Sequence, residues 1–350
     1  MNVRRRFGRA IGLCAVIAAA VTLIAGPASA ASPPTQIVDG LGGPLQFQVA
    51  HDGSILVGQS MAGIVSRVSR HGTVTDLVSD PGQDLSGVAI GAFGSTYFTR
   101  TGTDGTAKLR RRDRNGHLHT VADIGAYEAT VNPDHVNSYG FQGLSQECSD
   151  QLPPDFRQQN GGIESHPYAI ANTVFGQFVA DAAGNDILFV DLRGRVHTVA
   201  VLPPQPLLAT PEVVAGQGLP ECVTGATYNF DPVPTDVEVG RDGKLYVTTL
   251  PGGPEDASLG ARGSVYRINP WTGGEHRVAT GFLGATNLAI SPHGTIFVAE
   301  LFANQVSKVV AGHPQVVASL PSPAGVEWAR GRLYVSTDVF GSGKIVTLQP

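Results

Sequence analysis

Charged residues are scarce, at 15% of 350, and cysteine occurs only three times. Beyond the first thirty positions, no run reaches the about 18 apolar residues of a membrane-spanning helix, so no such span is expected in the mature chain. Coiled-coil and collagen periods are absent, and a hydrophobic content of 42% is too high for wholesale disorder. There is no H-E-x-x-H pair, no G-x-S-x-G elbow and no phosphate-binding glycine loop ahead of a helix. What is abundant is punctuation: 44 glycines and 24 prolines make turns frequent and long helices few.

Residues 1–30 carry Arg4, Arg5, Arg6 and Arg9, an acid-free apolar run from Ala10 to Ala25, and Ala28-Ser29-Ala30. This is the layout of an export signal cut after Ala30, which predicts a secreted or extracytoplasmic protein. Arg4-Arg5-Arg6-Phe7 also fits a twin-arginine pattern. Four of the 24 basic residues leave with the signal, so the mature chain holds 20 against 29 acidic ones, a net charge of −9. That balance disfavours nucleic acid as a partner. The basic run at 108–114 (KLRRRDR) reads as the solvated edge of a strand. Cys14 also leaves, and in an oxidising compartment the remaining pair, Cys148 and Cys222, is expected to form a disulfide.

Internal repetition decides the fold class. Six segments alternate apolar and polar residues with period two around a hairpin glycine: 43–59, 84–100, 166–181, 233–249, 285–300 and 322–337. Each is followed by a third strand, and five by a fourth. The sixth unit ends at its third strand, whereas the mature chain opens on TQIVDG (35–40), an unpaired fourth strand at the other end. Circular closure removes both free sheet edges. Setting aside insertions at 125–165 and 204–232 leaves about 42 residues per unit, the length of a four-stranded blade. The reading is all-β: residues 31–350 form one six-bladed β-propeller, its last blade closed by the N-terminal strand. Both insertions fall between a fourth and a first strand, so they emerge on one face, and each holds one cysteine. A bridge between them favours an ordered lid.

Two columns of residues face that end of the central channel. At the second strand ends stand Gln59, Arg100, Asp181, Thr249, Glu300 and Thr337; inside the first strands stand Gln46, Gly87, Ala169, Asp236, Asn287 and Gly325. Asp181, Asp236, Asn287 and Glu300 supply oxygens of the kind that Ca²⁺ takes, or else cap strands and tie blades together. Glu164, His166 and Tyr168 mark the entry to the third blade and, with Arg100 and Thr235, form the candidate ligand-binding face. His166 is the candidate general base, since imidazole titrates near neutrality.

The phrases VADAAGNDILFVD (179–191) and GRDGKLYVTTL (240–250) resemble NHL-type propellers. VADIGAYEATVNPD (121–134), ESHPYAIA (164–171), VPTDVEVGRDGKLYV (233–247) and NLAISPHGTIFVAEL (287–301) resemble the ScyD/ScyE family of exported propellers. The insert segment AYEATVNPD is the most specific of these phrases. The resemblance spans the mature chain and implies export and a six-bladed propeller, without an established reaction. The regucalcin/gluconolactonase propellers hold a metal on a column that here reads Leu45, Ser86, Tyr168, Thr235, Thr286 and Ala324, with no carboxylate. Asp236 and Asn287 lie one step later, where strand alternation turns them away unless a bulge intervenes. Three readings follow. The first is a module binding a small molecule, glycan or protein on the insertion face. The others are a metal-dependent hydrolase or lactonase, and a structural cell-surface protein.

Overall fold

The computed structural model describes residues 33–350; the segment assigned to export, 1–30, lies outside the described residues. The described residues form seven four-stranded antiparallel sheets, one more than the repeat predicts. Five are meanders in chain order. The first runs through Pro44–Val49, Ile55–Gln59, Ile64–Val68 and Val74–Ser79, and the second through Val88–Ile90, Thr96–Thr101, Ala107–Arg112 and Leu118–Asp123. The third comprises Pro167–Thr173, Gly176–Asp181, Asp186–Asp191 and Val196–Val201. The fourth comprises Pro234–Val239, Leu245–Thr249, Gly263–Ile268 and Glu275–Phe282. The fifth comprises Ala285–Ile290, Ile296–Glu300, Gln305–Val310 and His313–Ser319.

The sixth sheet joins the two chain ends. Val326–Ala329, Arg332–Thr337 and Gly343–Leu348 take Thr35–Leu41 as their outer strand, with Thr35 opposite Thr347 and Leu41 opposite Gly343. Without that strand, Gly343–Leu348 would present a free edge. The first strands of the six sheets touch in succession, and the sixth touches the first again. An apolar cluster fills each seam between neighbouring sheets, including Phe47, Ile55 and Val57 against Tyr334 and Ile345 where the ring closes. Glycine permits the closest approach between sheets: a Cβ on Gly58 would lie 2.1 Å from the Ser86 carbonyl oxygen.

Four first strands carry the bulge on which the metal reading depends. Their ladders to the second strand skip Leu45, Tyr168, Thr235 and Thr286. The extra residue re-aims its side chain toward the next sheet. Thr235 Oγ1 thereby donates to the Ala285 carbonyl (2.9 Å) and Thr286 Oγ1 to that of Ala324 (2.8 Å).

The seventh sheet is built by the two insertions together, in the order Gln159–Asn160, Ser138–Phe141, Thr227–Phe230, Gln205–Leu208. It has its own core of Phe141, Cys148, Leu152, Ala209, Val214 and Val223. The Cys148–Cys222 disulfide, with Cα atoms 5.8 Å apart, joins the insertions. The basic run is no edge: Ala107–Arg112 is paired on both sides, and its arginines lie half-buried along the outer part of the second sheet. Among the described residues, no helix is long and apolar enough to cross a membrane.

Candidate functional site

The first insertion opens with the helix Ile124–Val131, whose N-terminus is capped by Asp123 Oδ1 accepting from Ala126 N (3.0 Å). It ends at Asn132, in the left-handed conformation (φ 42°), and the chain turns at once into the short helix Pro133–Val136. This reversal buries Glu128 and Asp134, both within the AYEATVNPD phrase, against the third sheet. Asn185, also left-handed (φ 55°), clamps the arrangement. Its Nδ2 donates to Asp134 Oδ2 (2.9 Å) and Asp231 Oδ1 (3.1 Å), and its Oδ1 accepts from Val233 N (3.1 Å). Tyr139 Oη donates to Asp134 Oδ2 as well (3.1 Å). One side chain of the third sheet thus holds an aspartate from each insertion.

Beside this clamp lie oxygens with no donor: Glu128 Oε1, Asp134 Oδ1 and both carboxylate oxygens of Asp186. These three residues are at most 2% exposed. Burial, reinforced by Asp181 and Asp134, pushes the Glu128 carboxyl up to about 8. Burial and the charges of Asp181, Glu128 and Asp134 push Asp186 well above the usual carboxylate range. Asp134, Asp181 and Asp231 are raised for the same leading reason.

Two cavities flank the clamp. The first, about 390 Å³, lies between the insertion sheet and the loop 250–262 of the fourth sheet, and Phe141, Phe156, Leu207, Val213, Tyr228 and Phe230 form much of its wall. Tyr228 packs edge-on against Phe141 (4.9 Å between centroids) and tilted against Phe230 (4.4 Å). Arg262 packs on Phe230 from outside the cavity: its guanidinium lies 4.2 Å from the ring centroid and donates to Gln205 Oε1 (3.0 Å) and the Gly252 carbonyl (2.7 Å). The second cavity, about 530 Å³, is polar and is lined by Asp134, Tyr139, Asp155, Glu164, Asn185 and Asp231 among others. Asp155, Asp231 and Gly252 line both cavities, which therefore adjoin.

Of the residues singled out in the sequence, Glu164 lines the polar cavity. His166 Nε2 sits 2.7 Å from Asp84 Oδ2, with its ring edge-on to Tyr168 at 5.9 Å. Burial lowers the affinity of this imidazole for a proton, but the bond to Asp84 and its charge more than reverse that and hold the pKa above the ordinary histidine value. Ser60 Oγ donates to the other Asp84 oxygen (2.6 Å), so the carboxylate stands between serine and histidine. A nucleophile–base pair would need the histidine in the middle. Arg100 pairs with Asp80 (2.7 Å), and Thr235 is engaged by the fifth sheet.

The metal candidates are each occupied separately. Asp181 accepts from Ser165 Oγ (2.5 Å) and His166 N (2.6 Å); Glu300 accepts from Leu283 N and Gln305 Nε2 (2.9 Å each). Asp236 accepts from Leu288 N (2.9 Å). Asn287 bridges Gln46 Oε1 (2.8 Å) and Val326 N (2.7 Å). The bonds of Asp181 and Glu300 tie the second strands of the third and fifth sheets to the loops entering their own first strands; those of Asp236 and Asn287 link first strands, Asn287 reaching both the sixth sheet and, through Gln46, the first. Among the described residues, no three His, Cys, Asp or Glu side chains are grouped to hold a metal ion.

Sequence reasoning passed over Glu128, Asp134, Asn185, Asp186 and Asp231, together with the aromatic wall. It also passed over two channel carboxylates near Asp236. Burial pushes Glu327 up to about 8, and Glu238 is raised well above its usual range by burial and by the charges of Glu327 and Asp236. The available signal was AYEATVNPD, which contains two of these residues, but nothing in a single sequence shows that Asn185 faces them.

No protein-family model matches the chain, and no curated protein matches it in sequence. Solved propeller structures match its fold. A virginiamycin B lyase of Staphylococcus aureus, in a catalytically inactive form with quinupristin, aligns at 14% identity and TM-score 0.54, over 91% of this chain and 98% of its own. A structural-genomics candidate gluconolactonase aligns at 12% identity and TM-score 0.54, over 92% of each chain. The aldose sugar dehydrogenase of Streptomyces coelicolor, in its PQQ-bound form, aligns at 16% identity and TM-score 0.55, over 90% of this chain and 96% of its own. At these identities the likeness is one of fold: this is a propeller-type chain.

Proposed function

We propose that the protein is an exported six-bladed propeller of the ScyD/ScyE type, whose seventh sheet serves as a platform for binding a small molecule. One observation carries this reading. The two insertions, joined by the disulfide and clamped by Asn185, wall an aromatic cavity of small-molecule size against the fourth sheet. The phrases shared with ScyD/ScyE proteins and the export-type N-terminus support the family and the location. The disulfide is compatible with an oxidising compartment.

The test is titration of the mature chain with the neutral fluorescent probe N-phenyl-1-naphthylamine. One saturable site per chain is expected. Leu207→Trp and Val213→Trp, which fill the cavity from partly exposed wall positions, should abolish binding while leaving the melting temperature within a few degrees. Absence of a saturable site, or unchanged binding in both variants, overturns the reading.

A second reading, a metal-dependent hydrolase of lactones or esters, draws support from the gluconolactonase-type and sugar dehydrogenase propellers of the same fold and from the bulges beside Asp236 and Asn287. It requires Ca²⁺ or a similar ion at Asp181, Asp236, Asn287 and Glu300, with His166 as base. Calorimetric calcium titration decides it: tight binding lost in Asp236→Ala and Asn287→Ala moves the hydrolase ahead of the binding module.

A further inference from the structure

The chemistry of the paired cavities narrows the ligand class, resting on the binding reading above. The aromatic cavity offers an apolar surface to a ring-sized body. Across the shared border of Asp155, Asp231 and Gly252, the neighbouring cavity presents four carboxyl groups, from Asp134, Asp155, Glu164 and Asp231. No lysine, arginine or histidine lines it among the described residues. Asp134 is 1% exposed, and its Oδ1 has no donor. Arg262 lines neither of these two cavities but a third that meets the aromatic one at Gly252, Gly253 and Pro254, and its guanidinium is committed to the Phe230 ring, Gln205 and the Gly252 carbonyl. Asp231, which lines both cavities, and Asp134, which lines the polar one, offer carboxylate acceptors to a ligand N–H⁺ at this place. The net charge of −9 on the mature chain favours the approach of a cationic ligand.

We propose that the double cavity binds an amphipathic amine: an apolar body, seated on Phe141, Tyr228 and Phe230, that carries one protonated nitrogen directed at Asp231 and Asp134. A neutral ligand of the same shape loses the charged contacts, and an anionic one meets four carboxyl groups. Body and charge are therefore read by different walls.

The experiment is calorimetric titration of the mature protein with three matched probes: 4-phenylbutylamine, 4-phenylbutanol and 4-phenylbutyrate. The amine is expected to bind at least tenfold tighter than the alcohol, and the carboxylate more weakly than either. Added salt should weaken the amine alone. Asp231→Asn should remove most of the amine preference. Because Asp231 also holds Asn185, Asp155→Asn, at an exposed border position, is the second variant; it should reduce amine affinity several-fold and leave the alcohol unchanged. Equal binding of amine and alcohol overturns the amine assignment while the binding reading stands. If none of the three binds and the naphthylamine probe also fails to saturate, both readings fall together.

Discussion

Raising the pH from 5 to 8 in the presence of chelator is expected to destabilise the native protein, with Glu128 as a main cause. Its carboxyl ordinarily ionises near 4.5 and is pushed up to about 8 in the folded chain. Between those values the folded state keeps a proton that the unfolded chain has released. The associated stability is therefore complete below about 4.5 and is lost as the pH rises through 8. At about 1.4 kcal/mol per pH unit, Glu128 contributes at most about 5 kcal/mol over the interval. The carboxyl groups around it act in the same direction: Asp134 from its own insertion and Asp181 from the third sheet raise it, and Glu128 in turn raises Asp186. His166, whose charge acts on Asp181, is paired with Asp84. Urea unfolding at half-unit pH steps measures the slope. Glu128→Gln, which cannot ionise and brings an N–H donor to the donor-free oxygens, should flatten it and make the variant the more stable protein at pH 8. A wild-type stability that is flat from pH 5 to 8, or a Gln variant with the wild-type slope, refutes the account.

Two further perturbations test the architecture. Cys148→Ser should leave the six repeated sheets folded while limited proteolysis moves into 125–165, because the bridge links only the insertions. A loop closed across a sequence separation of 74 is worth at most about 4.5 kcal/mol on chain-entropy grounds. Unchanged protease resistance would count against the disulfide as the staple of the seventh sheet. Leu41→Ala, at a 2% exposed position in the closing strand, should cost about 3 kcal/mol in urea unfolding and promote association through the edge of Gly343–Leu348. A loss below about 1 kcal/mol would mean that Thr35–Leu41 does not close the sixth sheet as tightly as its burial implies.

The uneven legibility of this chain follows from the range over which each feature is encoded. Period-two alternation and hairpin glycines are local, so all six repeats and the displaced strand at 35–40 are legible in the sequence alone. The seventh sheet is not local. Ser138–Phe141 pairs with Thr227–Phe230 across about 90 residues, and neither segment repeats or alternates for long enough to declare itself. The cysteines said that the insertions meet; they did not say that the meeting builds a sheet. Channel residues illustrate a second limit. Asp236 and Asn287 have the chemistry of ligands, yet their oxygens accept backbone N–H groups of the next first strand, a use that chemical identity alone does not reveal. Asn185 shows the converse. In sequence it is one residue of a turn, but its left-handed backbone lets one amide face two insertions at once, so the most ordinary residue of the site organises it. Asn185→Ala should therefore loosen both cavities together, whereas substitutions on the aromatic wall alter only one. The candidate site in this protein sits where long-range pairing overlays a locally encoded scaffold.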